Sequence, residues 1–180
     1  MSRPPVAKEK IIAAYVAMIC DDGERAATME ATAALAGVSK GGLLYHFPSK
    51  ESLAQAIIDG LNDLVARDLE NMASAPEGPS RYFVRTSCIV GGEFDRFFNA
   101  VLRLAQGGHA PSLKALDTIQ HSWLELIRGE VADEHAAEAI MLIGEGLYYQ
   151  TSMPGAWYRS TFGEALEDLL VQVDRLKAEH

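Results

Sequence analysis

Five histidines, two cysteines and twenty-five carboxylates are the side chains through which this 180-residue chain could do acid–base, nucleophilic or metal chemistry. They form no catalytic pattern. His46, His109, His121, His135 and His180 lie in no G-x-S-x-G or H-E-x-x-H motif, and Gly91-Gly92 and Gly107-Gly108 lack the flanking residues of a phosphate-binding loop. His121 and Glu125 are spaced i, i+4, as two metal ligands or an acid–base pair would be. At that spacing a local, solvated contact is the more ordinary role. Cys20 and Cys88 are too few and too distant for a disulfide scaffold or a zinc site, and each reads as a small apolar residue. The expectation is a protein that is not an enzyme and uses neither metal nor cofactor.

A different chemistry, contact with nucleic acid, is written between Thr28 and Leu53. Ser39, Lys40, Gly41 and Gly42 make a slim, polar surface, and Tyr45, His46 and Lys50 add hydrogen-bond donors at the level of phosphates. The elements that must position them follow from local chemistry. Thr28 is a helix N-cap whose hydroxyl accepts an otherwise orphan amide. The Ala-rich run from Met29 winds one or two turns, and Gly37 stops it in the left-handed conformation. Ser39 caps a second short helix that runs to about His46. Pro48 cannot continue that helix, and Ser49 caps a third. Two short helices joined through a Gly-containing turn make a helix-turn-helix, here about residues 28–47. Its second helix enters a major groove.

The segment AGVSKGGLLYHFPSKESL resembles the DNA-binding segment of the TetR/AcrR family of transcriptional regulators. Thr28, Ala33, Ala36-Gly37-Val38-Ser39, Gly41, Leu43, His46-Phe47 and Lys50-Glu51-Ser52-Leu53 match the family pattern. Two positions depart from it. Thr32 stands where the family usually has a core Ile, and Leu44 where it usually has a phosphate-contacting Tyr, with Tyr45 beside it. The resemblance covers roughly residues 8–55. It implies Thr28, Ser39, Lys40, Gly41, Gly42, Tyr45, His46 and Lys50 as the DNA-facing set. It also implies a homodimer made through the last two helices. Several family members with a similar head sense multiple drugs and control efflux pumps.

The net charge of −9 is unusual for a DNA binder until the chain is divided. Residues 1–50 carry six Lys/Arg and five Asp/Glu, a net of +1, whereas residues 51–180 carry ten and twenty, a net of −10. Only the head tolerates a phosphate backbone, and a weakly basic head implies that two act together. Arg3, in the arm Ser2 to Pro5, is a further group within reach of DNA, though such arms are mostly frayed ends. No apolar run reaches the ~18 residues of a membrane span, and the N-terminus has no signal-peptide pattern, so the expected location is cytoplasmic.

The rest of the chain reads as helix. One helix, Val6 to Cys20, precedes the motif and packs behind it. A long one runs from Ser49 to about Met72, with Gly60 as a possible flex point. After the linker Ser74 to Pro79 come apolar-striped segments at Tyr82 to Val90, Phe94 to Leu104, Ser112 to Val131, Ala132 to Ser152 and Phe162 to Ala178. The fold class is therefore all-α, with about nine helices. Residues 1–52 form a three-helix DNA-binding head, and residues 53–180 form an effector-binding and dimerisation body. Body aromatics suggest a small-molecule pocket walled by Phe97, Trp123 and Tyr148, with Glu145 facing positive charge; Phe98, Tyr149 and Trp157 are further candidates. Leu166, Leu169, Leu170 and Val173 form the apolar face of the last helix and mark the dimer seam. The expected function is a ligand-responsive repressor. It sits on an inverted-repeat double-stranded DNA operator until a small lipophilic effector, for which the acidic body favours cations, releases it. A helical adaptor whose head meets protein is the alternative.

Overall fold

The computed structural model describes residues 7–152 and 166–178. The Arg3 arm, the Met153-Pro154-Gly155 break, Trp157 and the expected helix start at Phe162 lie outside the described residues. Among those described there are nine helices and no strand: α1 (Ala7–Asp22), α2 (Met29–Ala36), α3 (Lys40–His46), α4 (Lys50–Ala73), α5 (Pro79–Thr86), α6 (Glu93–Gln106), α7 (Ala110–Glu130), α8 (Glu134–Ser152) and α9 (Leu166–Ala178). The all-α expectation is met. None of these helices is long and apolar enough to cross a membrane.

The chain divides into two compact units. Residues 1–64 and 93–117 make the first, and 65–92 and 118–180 the second. α4 runs through Ser52 and Leu53 without a break, and α1 packs on α6, which draws residues 93–117 into the unit that holds the helix-turn-helix.

In the first unit Ile11, Tyr15 and Ile19 of α1, Leu43 of α3, and Leu53, Ile57 and Leu61 of α4 are all fully buried. Their i, i+4 recurrence along α1 and α4 is one face of the helical period. Arg103 of α6 donates to the Ile19 carbonyl at 3.3 Å and so covers the C-terminal end of α1. Gly60 is a site of close approach: a β-carbon there would lie 2.5 Å from the Phe97 ring.

In the second unit α5, α8 and α9 pack on one another. Phe83 lies against Gly144, where a β-carbon would collide with the ring, and Phe83 meets Trp123 at 5.6 Å between centroids. α5 has Gly78 at its N-cap and no side-chain cap of its own. Glu130 of α7 supplies one, accepting the Ser80 amide at 2.9 Å, and its other oxygen pairs with Lys177 of α9. Arg81 reaches α9 as well, at 2.6 Å from Asp174 and 3.2 Å from Glu167.

Candidate nucleic-acid interface

The caps read from the sequence form as expected. Thr28 Oγ1 accepts the Ala31 amide at 3.1 Å, and Ser39 Oγ accepts the Gly42 amide at 3.0 Å. Gly37 closes α2 at φ +68°, a conformation that would cost any other residue about 1 kcal/mol or more. Ser49 and Ser52 cap the start of α4 reciprocally: the Ser52 amide donates to Ser49 Oγ at 3.1 Å and the Ser49 amide to Ser52 Oγ at 3.2 Å. Thr32, where an apolar residue was expected, is fully buried, and its hydroxyl donates to the Thr28 carbonyl at 2.7 Å. The polar atom is satisfied one turn back, so the departure is accommodated.

Leu43 and Phe47 anchor α3 in the core. Its opposite face carries Lys40, Gly41, Leu44 and Tyr45, all exposed. Tyr45 is 84% exposed and stacks edge-on to His46 at 5.1 Å. A β-carbon on Gly41 would meet nothing within 4 Å, so no packing in this chain requires a glycine there. Such a face lets a backbone come close to a partner surface. Leu44, 39% exposed, cannot donate to phosphate; the Tyr45 phenol beside it can.

The two lysines of the expected DNA-facing set differ. Lys40 pairs with Glu30 at 2.5 Å, and both side chains are more than half exposed. The lysine, first of the neighbours, holds the Glu30 carboxyl below its ordinary pKa. A pair this exposed is weak and exchangeable for phosphate. Lys50 is committed inward: Nζ donates to the Glu24 carbonyl at 2.9 Å and to the Glu24 carboxylate at 3.3 Å. A phosphate contact by Lys50 would have to compete with this internal pair. Glu24 had gone unnoticed because it lies 26 residues away in sequence.

The expected ligand set is not brought together within either unit. Phe97 belongs to the first, and Trp123, Glu145 and Tyr148 to the second. Trp123 is 8% exposed and its Nε1 donates to Asp68 at 2.9 Å. Asp68 also accepts the Tyr82 hydroxyl at 3.0 Å; burial first and the Asp68 charge second push the Tyr82 pKa up to about 12. Trp123 is therefore buried and hydrogen-bonded within the second unit. Glu145 accepts from Gln120 at 2.9 Å on the surface. A shallow, open groove of about 460 Å³ lies instead in the head, between α1 and α2, lined by Lys10, Ala13, Ala17 and Leu35. Of the expected seam, Leu170 and Val173 are fully buried against the chain's own helices, while Leu166 and Leu169 are half-buried. On α8 and α9 the exposed large apolar side chains are Leu142 and Tyr149, 66% and 59% exposed, and Val171, 45% exposed. Of the His121–Glu125 spacing, Glu125 pairs with Arg128 at 3.0 Å. No cluster of three His, Cys, Asp or Glu able to hold a metal occurs among the described residues.

Residues 11–57 match the family model described as bacterial regulatory proteins, tetR family. No curated protein matches the chain. Among solved structures, the multidrug binding protein EbrR in complex with malachite green is 21% identical, covers 96% of this chain and 99% of its own, and superposes with a TM-score of 0.70. GusR of Salmonella enterica is 21% identical over 98% of each chain, with a TM-score of 0.68. The superantigen PfiT is 17% identical over 99% of this chain and 100% of its own, also with a TM-score of 0.68. At these identities the likeness is one of fold.

Proposed function

We propose, from the match of residues 11–57 to the family model described as bacterial regulatory proteins, tetR family, that the protein is a transcriptional repressor whose α3 reads an inverted-repeat operator. The observation that carries the reading is α3 itself: capped by Ser39, anchored by Leu43 and presenting Lys40, Gly41 and Tyr45 to solvent. A seven-residue helix with an apolar root and a slim polar face suits a major groove. Thr28, Ser39 and Gly42 shape this surface by capping, and His46 supports Tyr45.

One head offers few phosphate contacts, so two must act together. The dimer we propose joins copies through α8 and α9, with Leu142, Tyr149 and Val171 at its centre and Leu166 and Leu169 beside them. Residues 53–180 then serve dimerisation and effector response. The effector is a small lipophilic molecule. EbrR's complex with malachite green supports that class, and the net charge of −10 over residues 51–180 favours a cation. The effector must prefer the head spacing that does not fit two successive major grooves, and operator DNA must weaken effector binding by the same factor. An efflux or metabolic gene is the natural target of such a switch. The superantigen among the structural neighbours keeps the adaptor reading as a second one, in which the head meets protein.

Selection from a random-sequence duplex pool separates the two. The repressor reading predicts enrichment of an inverted repeat with half-sites one helical turn or a multiple apart. Failure to enrich any duplex with a folded, dimeric protein would contradict it.

A further inference from the structure

The Gly107-Gly108 pair closes α6 and sets up the residue that follows. Gly108 has φ +89°, a conformation nearly reserved for glycine, and the His109 amide donates to the Leu104 carbonyl at 3.0 Å. His109 is thereby fixed as the N-cap of α7. Its Nδ1 lies 3.3 Å from the Ser112 amide and 2.8 Å from the Ser112 hydroxyl, and Ser112 is fully buried. An amide aimed at Nδ1 needs a lone pair there, so the neutral ring carries its proton on Nε2. That Nε2–H donates to the Glu51 carboxylate, 3.0 Å away in the first turn of α4. One imidazole both caps α7 and holds α4.

The residue beside Glu51 reaches the same turn by another route. Lys50 holds Glu24, and a β-carbon on Gly107 would lie 2.5 Å from the Glu24 carboxylate. Glu51 is thus held at the Gly107–His109 turn, and Lys50 holds Glu24, whose carboxylate lies beside Gly107. The Tyr15 side chain is fully buried. Burial raises its pKa, and the Glu24 and Glu51 charges raise it further, so both carboxylates lie near it. α3 ends at His46 and α4 begins at Lys50, so what fixes the first turn of α4 also fixes the exit of α3.

We infer that His109 is a positioning residue for the DNA-binding helix, acting through Glu51; the inference rests on the reading of α3 as the element that meets DNA. The test uses the full chain and four variants. His109→Asn keeps an acceptor for the Ser112 amide but is too short to reach Glu51. Glu51→Ala removes the other partner, the third variant combines the two, and Glu51→Gln restores an acceptor for Nε2–H. Affinity is measured on a duplex that the unaltered chain selects from a random pool, and amide exchange is followed at Ser52 and Leu53. His109→Asn and Glu51→Ala are each expected to weaken binding about tenfold, the combination no further than either alone, and Glu51→Gln hardly at all. Exchange at Ser52 and Leu53 accelerates in the same three variants, while the urea midpoint of the chain stays in place. Unaltered affinity and exchange in His109→Asn, or losses that add in the combined variant, overturn the inference. If the unaltered chain selects no duplex, the DNA reading fails by itself; the exchange rates then decide on His109, and unchanged rates overturn it.

Discussion

Lys40 and Lys50 are ten residues apart, carry the same charge and have different partners. Lys40 stands on the exposed face of α3 beside Glu30, and Lys50 is drawn into the Glu24 loop. Replacing Glu30 by Gln removes both a competitor for the Lys40 ammonium and a negative charge from the DNA side. Affinity for duplex DNA should rise, and the salt dependence of binding should steepen by about one unit of slope. Replacing Lys50 by Ala should lower affinity with the slope unchanged, because the lost contact is internal. Titrations of both variants at several salt concentrations check the pair; a slope flattened by Lys50→Ala would restore that lysine to the phosphates. Thr28→Ala removes the cap on α2 and should cost about 1 kcal/mol of stability, read by urea unfolding. The caps were legible in the sequence because a cap bond spans three residues and depends on residue type alone. The Lys50–Glu24 and His109–Glu51 pairs were not. They join residues 26 and 58 positions apart, and no local pattern announces such a partner.

Helices were legible for the same local reason, down to the glycines that end α2 and α6. What each helix face meets was not. The apolar stripe of α9 is clear in the sequence, yet nothing in the stripe says that Leu170 and Val173 face their own chain and Val171 faces out. The polar fastening of α9 was equally hidden. Glu130 sits where α5, α7 and α9 meet, accepting the Ser80 amide and pairing with Lys177. Partial burial raises the Glu130 pKa, but the Lys177 and Ser80 contacts outweigh it, and the net shift is downward from 4.5. A carboxylate depressed in the folded state contributes stability above its unfolded pKa and loses it as pH falls through the folded value. Unfolding of the second unit should therefore become easier below about pH 4.5. Glu130→Ala should cost about 2 kcal/mol at neutral pH and reduce that acid sensitivity. Urea unfolding at pH 7 and pH 4 checks both; equal pH dependence in the variant would place the acid-labile contact elsewhere.

At the scale of the whole molecule, the outward apolar residues and the division of charge make one prediction together. Leu142→Asp places a charge on the exposed face of α8, where a second copy would have to bury it unpaired at a cost of several kcal/mol. The variant should stay folded and become monomeric in the ultracentrifuge, with operator affinity lost because two heads are no longer linked. Val173→Asp should instead unfold the chain, since Val173 is already buried within it. On the proposed function, the +1 head, and not the −10 remainder, meets phosphate. The salt dependence of binding to the selected duplex measures this most directly. Two heads together are predicted to release several counterions, so log K should fall linearly with log salt at a slope of about −5 or steeper. A slope near zero, or binding that persists unchanged when Lys40 and Tyr45 are both replaced by Ala, would contradict it.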